Sequence, residues 1–191
     1  MIMLTRRALL AAFLITTSPL PLYAEGKPNR ADREKLFRAL QTATTEREGR
    51  MAEDAVWRMW MAEAPTPAIT EAISEAMRRR ESYDWDGALA ILDKVVAEAP
   101  DYAEGWNQRA FIRFLKRDFE GSLQDIERTL ALEPLHFAAL SGQALILMQQ
   151  GRIEAGQAAL RRAVEIHPWL KERTMLIPVP GEDMPATGRG I

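Results

Sequence analysis

Residues 103–136, AEGWNQRAFIRFLKRDFEGSLQDIERTLALEPLH, decide the fold, because their pattern recurs on both sides along the chain. The period is marked by proline, which occurs at positions 65, 100, 134 and 168. Repeats of about 20 to 50 residues are typical of proteins that stack one structural unit on the next. The central stretch is therefore interpreted as one unit of a repeat array.

Seven further columns of residues keep the same 34-residue step. Within each unit, apolar residues recur at spacings of three and four, which predicts two amphipathic helices per unit. Two columns hold only small residues, and we expect the paired helices to cross closely there. The columns are Ala72/Trp106/Leu140, Ala76/Ala110/Ala144, Trp85/Phe119/Ile153, Ala88/Ser122/Gly156, Leu92/Ile126/Leu160, Val95/Thr129/Ala163 and Val96/Leu130/Val164.

The segments between the two predicted helices of each unit are short and polar. They are Ser82-Tyr83-Asp84, Lys116-Arg117-Asp118 and Gln150-Gly151-Arg152. The prolines at the ends of the units lack an N–H group and cannot continue a helix, so they end the second helix. Each unit is therefore predicted to be a helical hairpin.

The columns resemble the tetratricopeptide-repeat (TPR) pattern W-x₂-L-G-x₂-Y, then A-x₃-F, then P. Trp106, Ala110, Ser122, Ile126 and Pro134 stand at the Trp, Gly, Ala, Phe and Pro of that pattern. The neighbouring units match with Ala72, Ala76, Ala88, Leu92 and Pro100, and with Leu140, Ala144, Gly156, Leu160 and Pro168. The resemblance implies an all-α fold, a right-handed superhelical solenoid of stacked antiparallel helix pairs.

Polar residues replace two apolar positions of the family pattern. Glu75, Arg109 and Gln143 stand at the usual Leu, and Arg79 and Arg113 stand at the usual Tyr. The resemblance therefore supports the fold but transfers no particular ligand to this chain.

The repeat columns divide the chain into units at 69–102, 103–136 and 137–170. Residues 25–68 are predicted to form a degenerate N-terminal TPR-like helical pair, as expected of a terminal repeat that caps the stack. Its Trp60 falls where a small residue is normal, so this pair is expected to pack differently. Residues 171–191 are predicted to form a short capping helix and a disordered tail.

Residues 1–24 have the pattern of a secretory signal peptide. Arg6 and Arg7 precede an apolar stretch at 8–15, and Ala24 offers a small residue for cleavage before Glu25. The stretch is shorter than the roughly 20 residues of a spanning helix, although an uncleaved anchor is the alternative. Both the general and the twin-arginine export routes fit. We expect an exported, periplasmic protein with no stable membrane insertion after cleavage.

Composition offers little for catalysis or for nucleic-acid binding. The chain has no cysteine, only two histidines, and a formal net charge of −2. No nucleophile elbow, phosphate-binding glycine loop or H-E-x-x-H motif is present. We therefore predict a non-enzymatic protein with no catalytic residues, no cofactor, no metal and no nucleic-acid partner. His136 and His167 are interpreted as locally hydrogen-bonded turn residues.

The TPR resemblance implies that the first helix of each unit lines a concave groove. This groove is expected to bind an apolar helix or an extended apolar segment of another polypeptide, which suggests an adaptor or assembly factor. The predicted groove residues are Ile73, Met77, Asn107, Phe111, Phe114, Ser141, Leu145 and Met148.

Two alternatives stay open at this point. The groove could be filled by the tail or by the chain's own first helix, through Leu36, Phe37 and Leu40. A carrier for a small molecule or cofactor could use the same groove. The tryptophans suggest a buried core rather than a carbohydrate platform; those on apolar stripes are Trp57, Trp60, Trp85 and Trp106.

Overall fold

The computed structural model of the protein describes residues 29–178, so the predicted signal peptide and nearly all of the predicted tail lie outside the described residues. Eight α-helices and one short 3-10 helix occur within 29–178. The helices are α1 (Arg30–Gln41), α2 (Glu46–Ala62), α3 (Pro67–Glu81), α4 (Trp85–Glu98), α5 (Ala103–Leu115), α6 (Phe119–Leu132), α7 (Phe137–Gln149), α8 (Ile153–Ile166) and the 3-10 helix Lys171–Met175.

The helices α3 to α8 form three successive antiparallel hairpins that stack in chain order. The predicted all-α TPR class is thereby confirmed. The first of these helices begins at Pro67, two residues before the first predicted unit. Pro67 suits the first turn because the N–H group that it lacks has no partner within the helix there.

The turns inside the three hairpins repeat the same backbone conformation. Tyr83, Arg117 and Gly151 adopt left-handed φ angles of 63°, 64° and 76°. After two of these turns, an aspartate caps the next helix: Asp84 accepts a hydrogen bond from the Gly87 N–H, and Asp118 from the Gly121 N–H. Such caps satisfy backbone donors that have no partner within the helix. The 34-residue period therefore extends to backbone geometry.

The two small-residue columns meet where the helices of a hairpin cross. In the second hairpin, the Ser122 Oγ donates a 2.8 Å hydrogen bond to the Ala110 carbonyl oxygen. In the third hairpin, Gly156 lies directly against the backbone of Ala144. Gly156 leaves no room for a Cβ atom there, so the sequence analysis predicted the crossing point correctly.

In the second hairpin, an ion-pair network involves two positions that are apolar in the family pattern, those of Arg109 and Arg113. Asp125 on α6 is 2% exposed and lies 2.7 Å from an Arg109 guanidinium nitrogen and 3.1 Å from one of Arg113. The buried carboxylate is thus compensated by two cations, as burial of a charge requires. The guanidinium of Arg109 also lies 4.8 Å from the ring centroid of Trp106.

The N-terminal pair α1–α2 does not simply extend the stack. The indole Nε1 of Trp169, after the last hairpin, donates a 2.9 Å hydrogen bond to the carbonyl of Ala43, in the α1–α2 turn. At the other end of α2, Met61 packs against the core of the first hairpin. The helix α2, which we call the strap (Glu46–Ala62), therefore runs from the last hairpin to the first. Its 17 residues span about 25 Å.

The tight crossing in the third hairpin leads to a stability prediction. A Cβ added at Gly156 would lie 2.9 Å from the Ala144 carbonyl oxygen and 3.0 Å from the Met148 nitrogen. Gly156→Ala is expected to lower the free energy of unfolding by about 1 to 3 kcal/mol, because two backbones would have to separate. Urea denaturation followed by circular dichroism measures this change.

Gly142→Ala is the matched control, since Gly142 also lies inside a helix of the third hairpin. Its added Cβ would meet only the Ile126 Cδ1, at an ordinary 3.5 Å. This variant is expected to gain about 0.5 to 1 kcal/mol, because alanine loses less backbone entropy in a helix than glycine does. Equal effects of the two substitutions would contradict a close crossing at Gly156.

Candidate functional site

The strap is anchored to the repeats by Trp60. This side chain is 1% exposed, and its ring lies flat against that of His136, with centroids 4.0 Å apart and planes 5° apart. The indole Nε1 donates to the carboxylate of Glu133 at 3.3 Å. Trp60 is thus a core residue, as predicted, whereas Trp57, Trp85 and Trp106 are half-buried.

His136 joins two elements through its two ring nitrogens. Its Nδ1 caps α7 by accepting the Ala139 N–H at 3.2 Å, and its Nε2 lies 3.0 Å from Glu104 on α5. The capping nitrogen must be unprotonated, so the ring proton is assigned to Nε2, which donates to Glu104. Glu104 is 1% exposed and also accepts hydrogen bonds from Asn107 and Gln108. The local bond of His136 was predicted, but the distant carboxylate was not.

His167 makes the second link between the strap and the repeats. Its Nε2 lies 3.3 Å from a carboxylate oxygen of Glu53, in the middle of the strap. This hydrogen bond is the main cause of the lowered pKa of Glu53. Its effect outweighs that of partial burial, which raises the pKa. The sequence interpretation of His167 as a locally bonded residue missed this contact.

A cavity of about 360 Å³ lies between the strap and the first helices of the second and third hairpins. Its apolar lining includes Phe111 and Phe114 from α5 and Leu145 from α7. Asn107 and Ser141 add polar groups. Further lining comes from Arg80 at the end of α3, from Glu53 and Trp57 of the strap, and from Leu170, Lys171 and Glu172 after α8.

Five of the eight predicted groove residues line this cavity, namely Asn107, Phe111, Phe114, Ser141 and Leu145. The other three lie elsewhere. Ile73 is fully buried in the core of the first hairpin, and Met77 packs against that core. Met148 packs into the third hairpin, where its Sδ accepts a hydrogen bond from Gln157 at 3.2 Å.

The strap occupies part of the concave face. The filling segment is α2 rather than the first helix, since Phe37 and Leu40 of α1 pack into the core shared with α7 and α8. Trp57 and Glu53 of α2 instead form one wall of the cavity. Sequence reasoning missed this wall, because the repeat period contains no information on where a non-repeating helix will pack.

Two further properties of the described residues bear on function. Between residues 29 and 178, no helix combines the length and apolarity that a bilayer crossing requires. In the same range, no three or more histidine or acidic side chains are grouped as a metal ion would need.

Stacked helical hairpins around a concave pocket define a helical-repeat binding protein. A scan against models of known protein families gives no match. A TPR repeat-containing protein of Rhizobium etli is 31% identical over 175 residues, and the alignment covers 86% of each chain. The chain therefore belongs to the TPR repeat-containing proteins, and this makes it a protein–protein interaction module.

A solved structure, that of the MamA R50E mutant, gives a TM-score of 0.48 at 18% sequence identity. The superposition covers 70% of this chain and 93% of that one.

The link between Glu53 and His167 leads to a prediction about pH. Because the folded-state pKa of Glu53 is lowered, its stabilising contribution is complete above the unfolded pKa and is lost as the pH falls through the folded one. Wild type should therefore be more stable than Glu53→Gln near pH 7, and the difference should shrink between about pH 5 and pH 3. Thermal unfolding at several pH values tests this expectation.

Glu127→Gln provides the control. Glu127 is exposed in the middle of α6, and no ion pair involves it among residues 29–178. This variant should follow the wild type at every pH. A difference for Glu53→Gln that stayed constant down to pH 3 would contradict the assigned link.

Proposed function

We propose that the protein binds a segment of another polypeptide in the cavity, acts without catalysis, and serves as an adaptor or assembly factor outside the cytoplasm. The observation that carries the proposal is the aromatic surface at the cavity. Phe111 keeps 43% of its surface exposed although it belongs to a well-packed hairpin. Its ring lies nearly parallel to that of Phe114, with centroids 6.5 Å apart.

A partly exposed aromatic pair of this kind favours association. Covering apolar surface contributes about 25 cal/mol per Å² before the costs of binding. Immobilising and ordering the partner opposes much of that gain. Weak, reversible association is therefore expected, as suits an adaptor.

A carrier for a small molecule is the second candidate, and the size of the cavity favours it. Its volume of about 360 Å³ falls at the lower end of the roughly 300 to 1,000 Å³ typical of small-molecule sites. Native mass spectrometry of protein purified from its own cells separates the two candidates. A mass above that of the polypeptide by one organic ligand would support the carrier.

Export rests on residues 1–24, and it leads to a prediction about processing. We expect the protein in the periplasmic fraction, with a mass that corresponds to a chain beginning at Glu25. Substituting Arg6→Lys together with Arg7→Lys should block export by the twin-arginine route but not by the general route. An intact, full-length chain in the cytoplasmic fraction would contradict the proposed location.

The aromatic surface leads to a prediction about binding. Phe111→Glu and Leu145→Glu should each abolish capture of a defined partner from periplasmic extract, because a carboxylate would be buried in an apolar contact. Capture is measured by affinity purification and mass spectrometry, with circular dichroism to show that the helices remain.

Ile153→Glu is the matched control for Phe111→Glu. Ile153 is 44% exposed, close to the 43% of Phe111, but it lies at the start of α8 and does not line the cavity. Capture should survive this substitution. Capture that survives all three substitutions would place the partner somewhere other than the cavity.

A further inference from the structure

The N-terminal pair α1–α2 has its main packing partners at the far end of the chain. Its buried apolar side chains share one hydrophobic cluster with residues of α7, of α8 and of the segment after α8; they are Phe37, Leu40, Val56, Met59 and Trp60. No member of that cluster comes from α3 or α4. The pair is therefore held by the last hairpin, and it meets the hairpin that follows it in sequence chiefly through Met61 and Ala64.

The outer side of α3 is polar where the later hairpins are apolar. On α5, Ile112 belongs to the core of the first hairpin, and a Cβ added to Gly105 would lie 3.0 Å from Val95 of that hairpin. The residues that occupy these two positions on α3 are Glu71 and Arg78, and both are exposed. The first hairpin thus faces solvent on this side, as a terminal repeat does. The pair accordingly docks at the other end of the stack.

A connection of only four residues, 63–66, joins the pair to α3. Its backbone hydrogen bonds are local. The N–H of Ala64 donates to Met61 on one side, and the carbonyl of Thr66 accepts from Thr70 on the other. Both bonds survive if the connection extends at Pro65, and proline favours an extended conformation in the residue before it. Extended, four residues span about 13 Å. Short connections of this kind favour the exchange of an element between two copies of a chain.

The contact between the strap and the repeats is incompletely hydrogen-bonded. Within residues 29–178, the buried side-chain polar atoms without a partner are the Tyr102 hydroxyl and the His167 Nδ1. Tyr102 belongs to the cluster that Met61 and Ala64 cover, and His167 contacts Glu53 of the strap. Such atoms have lost water without gaining a partner, which weakens the packing around them. Detachment of the strap would return both to water, so this contact is suited to opening.

The contacts that hold the pair do not require it to belong to the same chain. The three polar and aromatic contacts between the pair and the last two repeats all join residues far apart in sequence. They are Trp60 with His136, Ala43 with Trp169, and Glu53 with His167. A pair from a second copy can make each of them unchanged. Exchange of an identical element is for this reason a low-cost route to a dimer.

We propose that the last hairpin and the segment after it form a docking surface for the N-terminal pair of a second copy, so that two chains exchange residues 29–62. The closed monomer and the exchanged dimer then contain the same contacts and differ at the connection 63–66. Each cavity of the dimer has its floor from one chain and its wall, with Trp57 and Glu53, from the other. The inference goes beyond the proposed function, because it holds whatever ligand the cavity accepts.

The test uses single cysteines, because the natural chain contains none. A Cβ added to Gly49 would lie 2.8 Å from the Cβ of Trp169. Disulfides need about 3.5 to 4.5 Å between these atoms, a difference that a small shift supplies once the indole is gone. Full chains with Gly49→Cys and tagged full chains with Trp169→Cys are denatured together, refolded at high concentration and oxidised in a glutathione buffer. A disulfide between the two kinds of chain is expected on a non-reducing gel.

Met51→Cys is the matched control for Gly49→Cys. Met51 lies two residues further along the same helix and is 64% exposed, so it collides freely with other chains but does not face Trp169 when the strap is docked. Mixed with Trp169→Cys, it should give no more of the mixed disulfide than random collision gives. A mixed disulfide of equal yield from both positions would overturn the inference.

The connection provides a second test, without cysteines. Light scattering of the wild type should show a dimer whose share rises with the protein concentration during refolding. Inserting a flexible Gly-Ser segment after Ala64 should shift this dimer to monomer at the same concentration, because a longer connection lets the pair dock on its own chain. Circular dichroism should show unchanged helix content.

Other outcomes would overturn the inference. A wild type that stays monomeric at every concentration would do so, as would a dimer that the insertion leaves intact. A dimer without the mixed disulfide would assign assembly to another surface. None of these results touches the capture of a partner from periplasmic extract, so the proposed function is tested separately.

Discussion

The close crossing of the two helices in each hairpin is the constraint on which the rest of the structure depends. The third hairpin shows it most directly, because Gly156 lies against the Ala144 backbone with no room for a methyl group. A small residue occupies this position in each hairpin, at Ala88, Ser122 and Gly156, so the close crossing recurs every 34 residues. The first helices consequently present equivalent positions to one side, where Asn107 and Ser141 share the cavity.

The strap converts this open surface into a bounded pocket. It is fixed at three levels of the stack: by Trp169 beyond the last hairpin, by His136 at the start of α7, and by the core of the first hairpin near Met61. Both histidines of the chain take part in holding it, since His167 contacts Glu53. The regular repeats therefore supply the floor of the cavity, and the irregular N-terminal pair supplies a wall.

The repeat pattern of the sequence predicted the features that recur in every hairpin and missed the contacts that occur only once. Helices, turns and crossing points all recur every 34 residues, so side-chain size and spacing suffice to locate them. The pairing of Trp60 with His136 occurs once and joins distant parts of the chain, so the repeat columns do not predict it. The burial of Ile73 also depends on a contact outside the repeat pattern. The hydrophobic cluster that contains Ile73 is covered by Met61, near the end of the strap, and by Ala64, just after it. The predicted groove was therefore longer than the pocket that remains.

An apolar pocket alone would accept many partners, and the polar groups in this one restrict the choice. A partner that buried the hydroxyl of Ser141 without bonding to it would lose the hydration of that group, a cost of about 1 to 3 kcal/mol. The free oxygen of Asn107 would add a similar cost. A partner that donates hydrogen bonds to these two groups avoids both costs. The same two groups that strengthen one class of partner thus weaken another, and specificity is the difference between those affinities.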